Sequence, residues 1–250
     1  MQKIINDLAI KYSKEGSGPT ILMLHGWGDN LNTFNKISKQ LEKNYEVIRL
    51  DFPGFGKSQV LENDWYLNDY INFTQQFIEK LNIDVDILLG HSFGGRVIIK
   101  GVSENILQAN KIVLISSAGI KKSDTLKNKI IKGITKTGKL MTYIPPFYFF
   151  RKKIKKKFYD QIQSDYLNAE DMKVTFINII EEDLQSNAKK IEKPTLLIWG
   201  EKDDVTPVND GQKIHKLIKN SKLEIIKNSS HFVHQEKPEE VIKLINNFNA

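Results

Sequence analysis

Apolar residues along this chain fall into short unbroken runs, separated by longer stretches in which they recur every three or four positions. The runs occupy 20–24, 45–50, 85–89, 111–115, 194–199 and 223–226. Most are continuously apolar rather than alternating, which is the pattern of parallel strands covered on both faces. The stretches between them, 31–42, 65–81, 94–105, 210–219 and 238–248, carry helical periodicity. Strands alternating with helices predict an α/β fold, a doubly wound and mostly parallel sheet. A further pair of strands within 4–12 is expected at an antiparallel edge. The alternation breaks between 120 and 191. There Leu126, Ile130, Ile134, Phe176, Ile179 and Ile180 keep a helical spacing, no buried-type strand occurs, and Pro145-Pro146 must interrupt any helix. The expected organisation is therefore a core of 1–119 and 192–250 with a helical cap, 120–191, inserted between two strands.

Composition changes this picture only in one segment. With 250 residues, 40% apolar and 27% charged, the chain suits one α/β domain with an insertion. It has no cysteine, which removes disulfides, thiolate metal sites and cysteine nucleophiles. The N-terminus lacks the apolar core of a signal peptide, and no run approaches the ~20 apolar residues of a membrane span. A cytoplasmic location is the expectation. The net charge of +7 is concentrated between Lys121 and Lys157, where thirteen basic side chains face one acid, Asp124. Within this segment, aromatic residues from Tyr143 to Phe150 run directly into the basic run Arg151 to Lys157. An acidic carrier protein, a lipid surface or an anionic substrate would be its partner. A solvated lysine-rich face is the plainer alternative.

The richest segment is Ile87-Leu88-Leu89-Gly90-His91-Ser92-Phe93-Gly94-Gly95. A strand here runs straight into Gly-x-Ser-x-Gly and then a helix, so the turn lifts the Ser92 hydroxyl clear of the sheet at a helix N-terminus. A serine nucleophile needs a base, and the base an orienting carboxylate. The strand at 194–199 leads into Gly200-Glu201-Lys202-Asp203-Asp204, and the strand at 223–226 into Ser229-Ser230-His231. Ser92, Asp203 and His231 thus each follow a strand, where active sites of such sheets form. Between the neighbouring Asp203 and Asp204 the spacing favours Asp203. His234 reads as a packing or surface residue. After the strand at 20–24 comes His25-Gly26-Trp27-Gly28, whose Trp27 N–H, with the Phe93 N–H, would form a two-donor oxyanion hole. The Trp27 and Phe93 side chains would wall an acyl pocket. Asp51 to Ser58 contains Gly-Lys-Ser, but a phosphate-binding loop needs glycine where Asp51 stands, so a structural loop is expected instead.

Taken together, His25 to Gly28, Asp51 to Ser58, Gly90 to Gly95, Gly200 to Pro207 and His231 to Pro238 resemble the α/β-hydrolase fold superfamily over essentially the whole chain. The resemblance implies a small Ser-Asp-His carboxylesterase-like enzyme with nucleophile Ser92, acid Asp203 rather than Asp204, and general base His231. It also implies a helical cap over the site; the aromatic stretch of that segment, with Tyr143 and Phe147 as candidate substrate contacts, would line an acyl tunnel or dip into an interface. No metal or cofactor is required by such a mechanism. Dehalogenase and epoxide hydrolase chemistry of this fold is disfavoured, because it uses Asp where this chain has Ser92. The pimeloyl-carrier methyl esterases look similar around His25 to Gly28 but have Trp at the position of His91. Thioesterase and C–C hydrolase chemistry run on the same residues, and ligand receptors keep the same shell, so the substrate does not follow from the fold.

Overall fold

The computed structural model of the protein describes residues 1–121 and 172–249. Met1–Ile120 and Val174–Ala250 form one compact unit, and Lys121–Lys173 is a second. The basic stretch, Tyr143 and Phe147 lie outside the described residues.

The strands are β1 (Gln2–Ile5), β2 (Leu8–Glu15), β3 (Thr20–Leu24), β4 (Glu46–Leu50), β5 (Val85–His91), β6 (Lys111–Ile115), β7 (Thr195–Gly200) and β8 (Ser221–Ile226). They form one sheet in the order β1-β2-β4-β3-β5-β6-β7-β8. β1 pairs with β2, and β2 with β4, antiparallel; every other pairing is parallel. The antiparallel edge expected near the N-terminus is present. β3, β6 and β7 are buried along nearly their whole length, whereas the edge strand β1 shows three exposed residues in four. Burying each Leu, Ile or Val of these runs contributes about 1.5–3 kcal/mol, so an unbroken run is stable only with both faces covered.

Helices α1 (Asn35–Leu41), α2 (Leu67–Leu81), α3 (Phe93–Ser103), α4 (Lys173–Ile180), α5 (Val208–Leu217) and α6 (Pro238–Asn249) supply that cover, with single turns at Gln185–Ala188 and Val233–Glu236. A 3-10 turn, Leu31–Phe34, precedes α1, splitting the single helix expected there. One face packs Ile21, Met23, Ile87, Leu89, Val113 and Ile198 against Phe34, Ile37, Val241 and Ile245. α2 buries Leu67, Tyr70, Ile71, Thr74 and Phe77, the stripe of a 3.6-residue period. It begins with the Asp69 carboxylate accepting from Tyr66 N–H at 2.7 Å and ends at Asn82 in the left-handed region (φ 50°).

Every residue of α3 is buried, including Arg96 and Lys100. Their charges are met by the returning chain. Arg96 Nη2 donates to Ile179 O at 2.6 Å and to Glu182 O, and Lys100 Nζ reaches Glu182 Oε1 at 2.5 Å. Burial lowers the Arg96 pKa to about 10, against the opposing pull of Glu182 and Asp183, and leaves it cationic at neutral pH. The chain that leaves the sheet after β6 is fastened where it returns, by Leu184 N–H donating to Gly119 O at 2.9 Å.

β4 and β5 lie on opposite sides of β3, so the order of winding reverses there. Open parallel sheets bind ligands at the carboxyl ends of the strands flanking such a reversal.

Candidate active site

The site begins at the turn between β5 and α3. Ser92 sits at φ 49°, ψ −106°, a backbone conformation that L-residues avoid. Its neighbours explain how the turn closes. A β-carbon on Gly90 would meet Gly94 C at 2.6 Å, one on Gly94 would meet Leu24 O at 2.0 Å, and one on Gly95 would meet Ser117 Oγ at 2.0 Å. The backbone is then pinned on both sides: Ser92 N–H donates to Ile115 O at 3.1 Å, Ala118 N–H to Ser92 O at 3.1 Å, and Gly94 N–H to His25 O at 3.0 Å. Between these bonds, Phe93 N–H has no protein acceptor among the described residues, and neither does Trp27 N–H. Both N–H groups lie just past the carboxyl ends of β3 and β5.

The loop after β7 carries Asp203, 5% exposed, while Asp204 is exposed. His231, in the loop after β8, places Nδ1 3.1 and 3.0 Å from the two Asp203 oxygens. A carboxylate only accepts, so Nδ1 carries the proton and Nε2 keeps the lone pair a general base requires. Asp203 also accepts from the N–H groups of Val205 (3.0 Å) and Thr206 (2.8 Å). Burial works to raise its pKa, but the His231 hydrogen bond and charge and the Thr206 N–H outweigh it, holding the carboxyl below its ordinary value.

Thr206 is a side chain at this site that motif reasoning did not single out. Its hydroxyl lies 2.9 Å from Asp203 Oδ2, 3.0 Å from Ser116 O and 3.2 Å from His231 Nδ1, bridging the ends of β6, β7 and β8. Trp199 Nε1 anchors the same turn by donating to Thr206 O at 2.8 Å. The Asp-x-x-Thr spacing, a turn in which the aspartate caps the N–H three residues on, was the available signal.

Asp203 and His231 are joined directly. Ser92 Oγ makes no hydrogen bond among the described residues, yet the residue beside it touches the base loop: His91 Nε2 lies 3.1 Å from His231 O, with ring centroids 4.8 Å apart. His234 is fully buried, with Nε2 2.9 Å from Thr33 Oγ1, a packing role. The Asp51–Ser58 loop is structural. Asp51 Oδ1 accepts from Leu31 N–H at 2.6 Å and Oδ2 from Lys57 N–H at 2.8 Å, and a β-carbon on Gly56 would meet Oδ2 at 2.2 Å. His25 braces it, donating Nδ1–H to Gly26 O at 2.7 Å and accepting Phe52 N–H on Nε2 at 3.0 Å.

Aromatic rings form the wall beside Ser92. Trp27 packs on Phe55 (4.8 Å between centroids), Phe176 (5.1 Å) and Phe93 (5.5 Å), and Phe93 also packs on Tyr70 at 5.0 Å. In sequence Phe176 reads only as part of the helical spacing of the insert and Phe55 only as part of the Asp51–Ser58 loop; neither they nor Tyr70 could be placed at one wall, because no periodicity links three separate segments. Among the described residues no group of His, Cys, Asp and Glu is arranged to hold a metal ion, and no helix is long and apolar enough to cross a membrane.

Known proteins share this architecture. A family model described as alpha/beta hydrolase fold matches residues 19–238. An uncharacterized hydrolase of Bacillus subtilis, YugF, is 28% identical, covering 92% of this chain and 89% of its own length. Human monoacylglycerol lipase ABHD6 is 26% identical, covering 95% of this chain and 77% of its own. Among solved structures, an esterase from Exiguobacterium antarcticum superposes with a TM-score of 0.77 at 23% identity, over 100% of this chain and 98% of that one.

Proposed function

The chain belongs to the alpha/beta hydrolase fold family and is a hydrolase, and from that premise we propose that it cleaves carboxylic esters through an acyl-enzyme on Ser92. The observation that carries this reading is the buried Asp203–His231 pair beside a serine held in a left-handed elbow. His231 Nε2 takes the Ser92 proton as Oγ attacks the ester carbonyl carbon, and Asp203 stabilises the imidazolium formed. The Trp27 and Phe93 N–H groups receive the oxyanion. As the tetrahedral species collapses, His231 returns its proton to the departing alkoxide, which leaves as the alcohol. Water, deprotonated by His231, then attacks the acyl carbon and releases the acid. Catalytic hydrogen bonds are commonly long without substrate, which accommodates the unbonded Ser92 Oγ.

The wall of Trp27, Phe55, Phe93 and Phe176 favours an apolar acyl group. Monoacylglycerol lipase and esterase among the similar proteins point to the same substrate class. The test is hydrolysis of p-nitrophenyl esters from acetate to decanoate by wild type and Ser92→Ala. The expected result is turnover that peaks at one chain length and disappears in the variant. Turnover that persists in Ser92→Ala refutes the assignment.

A further inference from the structure

His91 is a costly residue to place beside the nucleophile. It is 1% exposed, its Nδ1 is buried without a hydrogen-bond partner, and burial together with the charges of His234 and His231 pushes its pKa well below the ordinary histidine value. An apolar side chain would avoid an orphaned acceptor there. What the imidazole gains is a position between two loops. A carbonyl only accepts, so the 3.1 Å contact to His231 O puts the proton on Nε2 and makes His91 a donor to the backbone of the base. The opposite edge of the ring faces the loop after β3, where a β-carbon on Gly26 would lie 2.9 Å from Nδ1 and 3.3 Å from Cε1. Gly26 directly precedes Trp27. The ring also packs at a tilt against His234 (4.5 Å between centroids) and Phe232 (5.4 Å).

We propose that His91 is a positioning residue that ties the His231 loop to the Gly26–Trp27 loop, setting base and oxyanion donor in register with Ser92. This rests on the serine-hydrolase reading above. One rigid ring, continuous with the nucleophile's own backbone, fixes the relative placement of the other two parts. Only the Nε2–H reaches His231 O, so a glutamine, whose amide nitrogen extends as far as Nε2, can replace it. Asparagine ends at the level of Nδ1 and phenylalanine keeps the ring without the donor.

The experiment compares His91→Gln, His91→Asn and His91→Phe with wild type and Ser92→Ala, using ester kinetics, the rate of labelling by a fluorophosphonate, and the low-field NMR resonance of the His231 Nδ1 proton. His91→Phe and His91→Asn should lower kcat and the labelling rate at least tenfold with KM within threefold, and broaden or lose the low-field proton. His91→Gln should recover most of each. A donor-lacking variant with wild-type kcat, or a glutamine variant as impaired as asparagine, overturns the proposal. If His91→Phe does not fold, the two amides decide alone. Failure of the serine-hydrolase reading shows separately, as turnover surviving in Ser92→Ala. The low-field proton, which needs no turnover, then decides the role of His91: retained in all variants it refutes the tie, retained only in wild type and His91→Gln it supports it.

Discussion

Replacing Ser92 with glycine should make the protein more stable than replacing it with alanine, although both changes remove the hydroxyl proposed as the nucleophile. The Ser92 backbone at φ 49°, ψ −106° is strained for any residue bearing a β-carbon, and strain of this kind costs on the order of 1–3 kcal/mol. Alanine keeps the β-carbon and the strain, and loses a hydroxyl that has no hydrogen bond among the described residues, so Ser92→Ala should melt close to wild type. Glycine releases the strain but loses more chain entropy on folding, about 0.4–1 kcal/mol. The net gain for Ser92→Gly over Ser92→Ala is therefore about 0.5–2 kcal/mol. For a chain of this size that corresponds to roughly 1–8 °C in Tm. Thermal unfolding followed by circular dichroism, with Ser92-dependent ester turnover measured in parallel, is the assay. A glycine variant that melts below the alanine variant would refute the claim that the elbow stores strain.

Thr206→Val should keep the fold and lower kcat about tenfold with little change in KM, since a hydrogen bond to a charged group is worth about 1.5–3 kcal/mol; unchanged kcat in steady-state kinetics removes Thr206 from the site. His234 titrates at about 3 in the folded chain against an ordinary histidine value of 6.5, because burial and the His231 charge disfavour its cation. Between those values the unfolded chain binds more protons, so stability should fall as pH drops from 6.5 toward 3, by roughly 3 kcal/mol at pH 4.5. Urea unfolding at pH 7 and 4.5 should show this loss in wild type and a smaller one in His234→Gln; equal losses in both contradict it. Asp203, whose pKa is depressed, adds a loss in the same direction as pH falls through its folded value. Reversing Lys152, Lys153, Lys155 and Lys156 to Glu should abolish binding to anionic liposomes if that stretch meets a lipid surface, as sedimentation with vesicles would record.

The strands and the elbow were legible because each is written in contiguous residues. β3 and β6 match their apolar runs residue for residue, and the Gly90–Gly95 spacing is dictated by close approaches to the backbone at Gly90 and Gly94 and to Ser117 at Gly95 that leave no room for a β-carbon. The order Ser92, Asp203, His231 was readable because each follows a strand and parallel strands end at one edge of the sheet. The contributions of Thr206 and His91 were not. His91 meets a carbonyl 140 positions away, a contact only folding creates, and the local Asp-x-x-Thr turn gave no sign that the Thr206 hydroxyl would reach Ser116 O and His231. The 3-10 turn at Leu31–Phe34 was hidden for a different reason. Its apolar spacing is that of the helix it precedes, and only the Asn30 side chain accepting from Asn32 N–H marks the boundary.

The hydrogen bond from Leu184 to Gly119 bears on how this enzyme could be re-engineered. β6 and β7 are adjacent and in register although a long excursion separates them in sequence, and the excursion leaves and re-enters at points already fastened together. Its length is thus nearly invisible to the sheet, since the entropy of closing a loop grows by only about 0.6 kcal/mol per doubling. The core then works as a socket for inserts of different size, provided the stretch from Ile179 to Leu184 that meets the buried Arg96 and Lys100 is kept. Ser92, Asp203, Thr206 and His231 stay where the strands hold them, whatever the length of the insert.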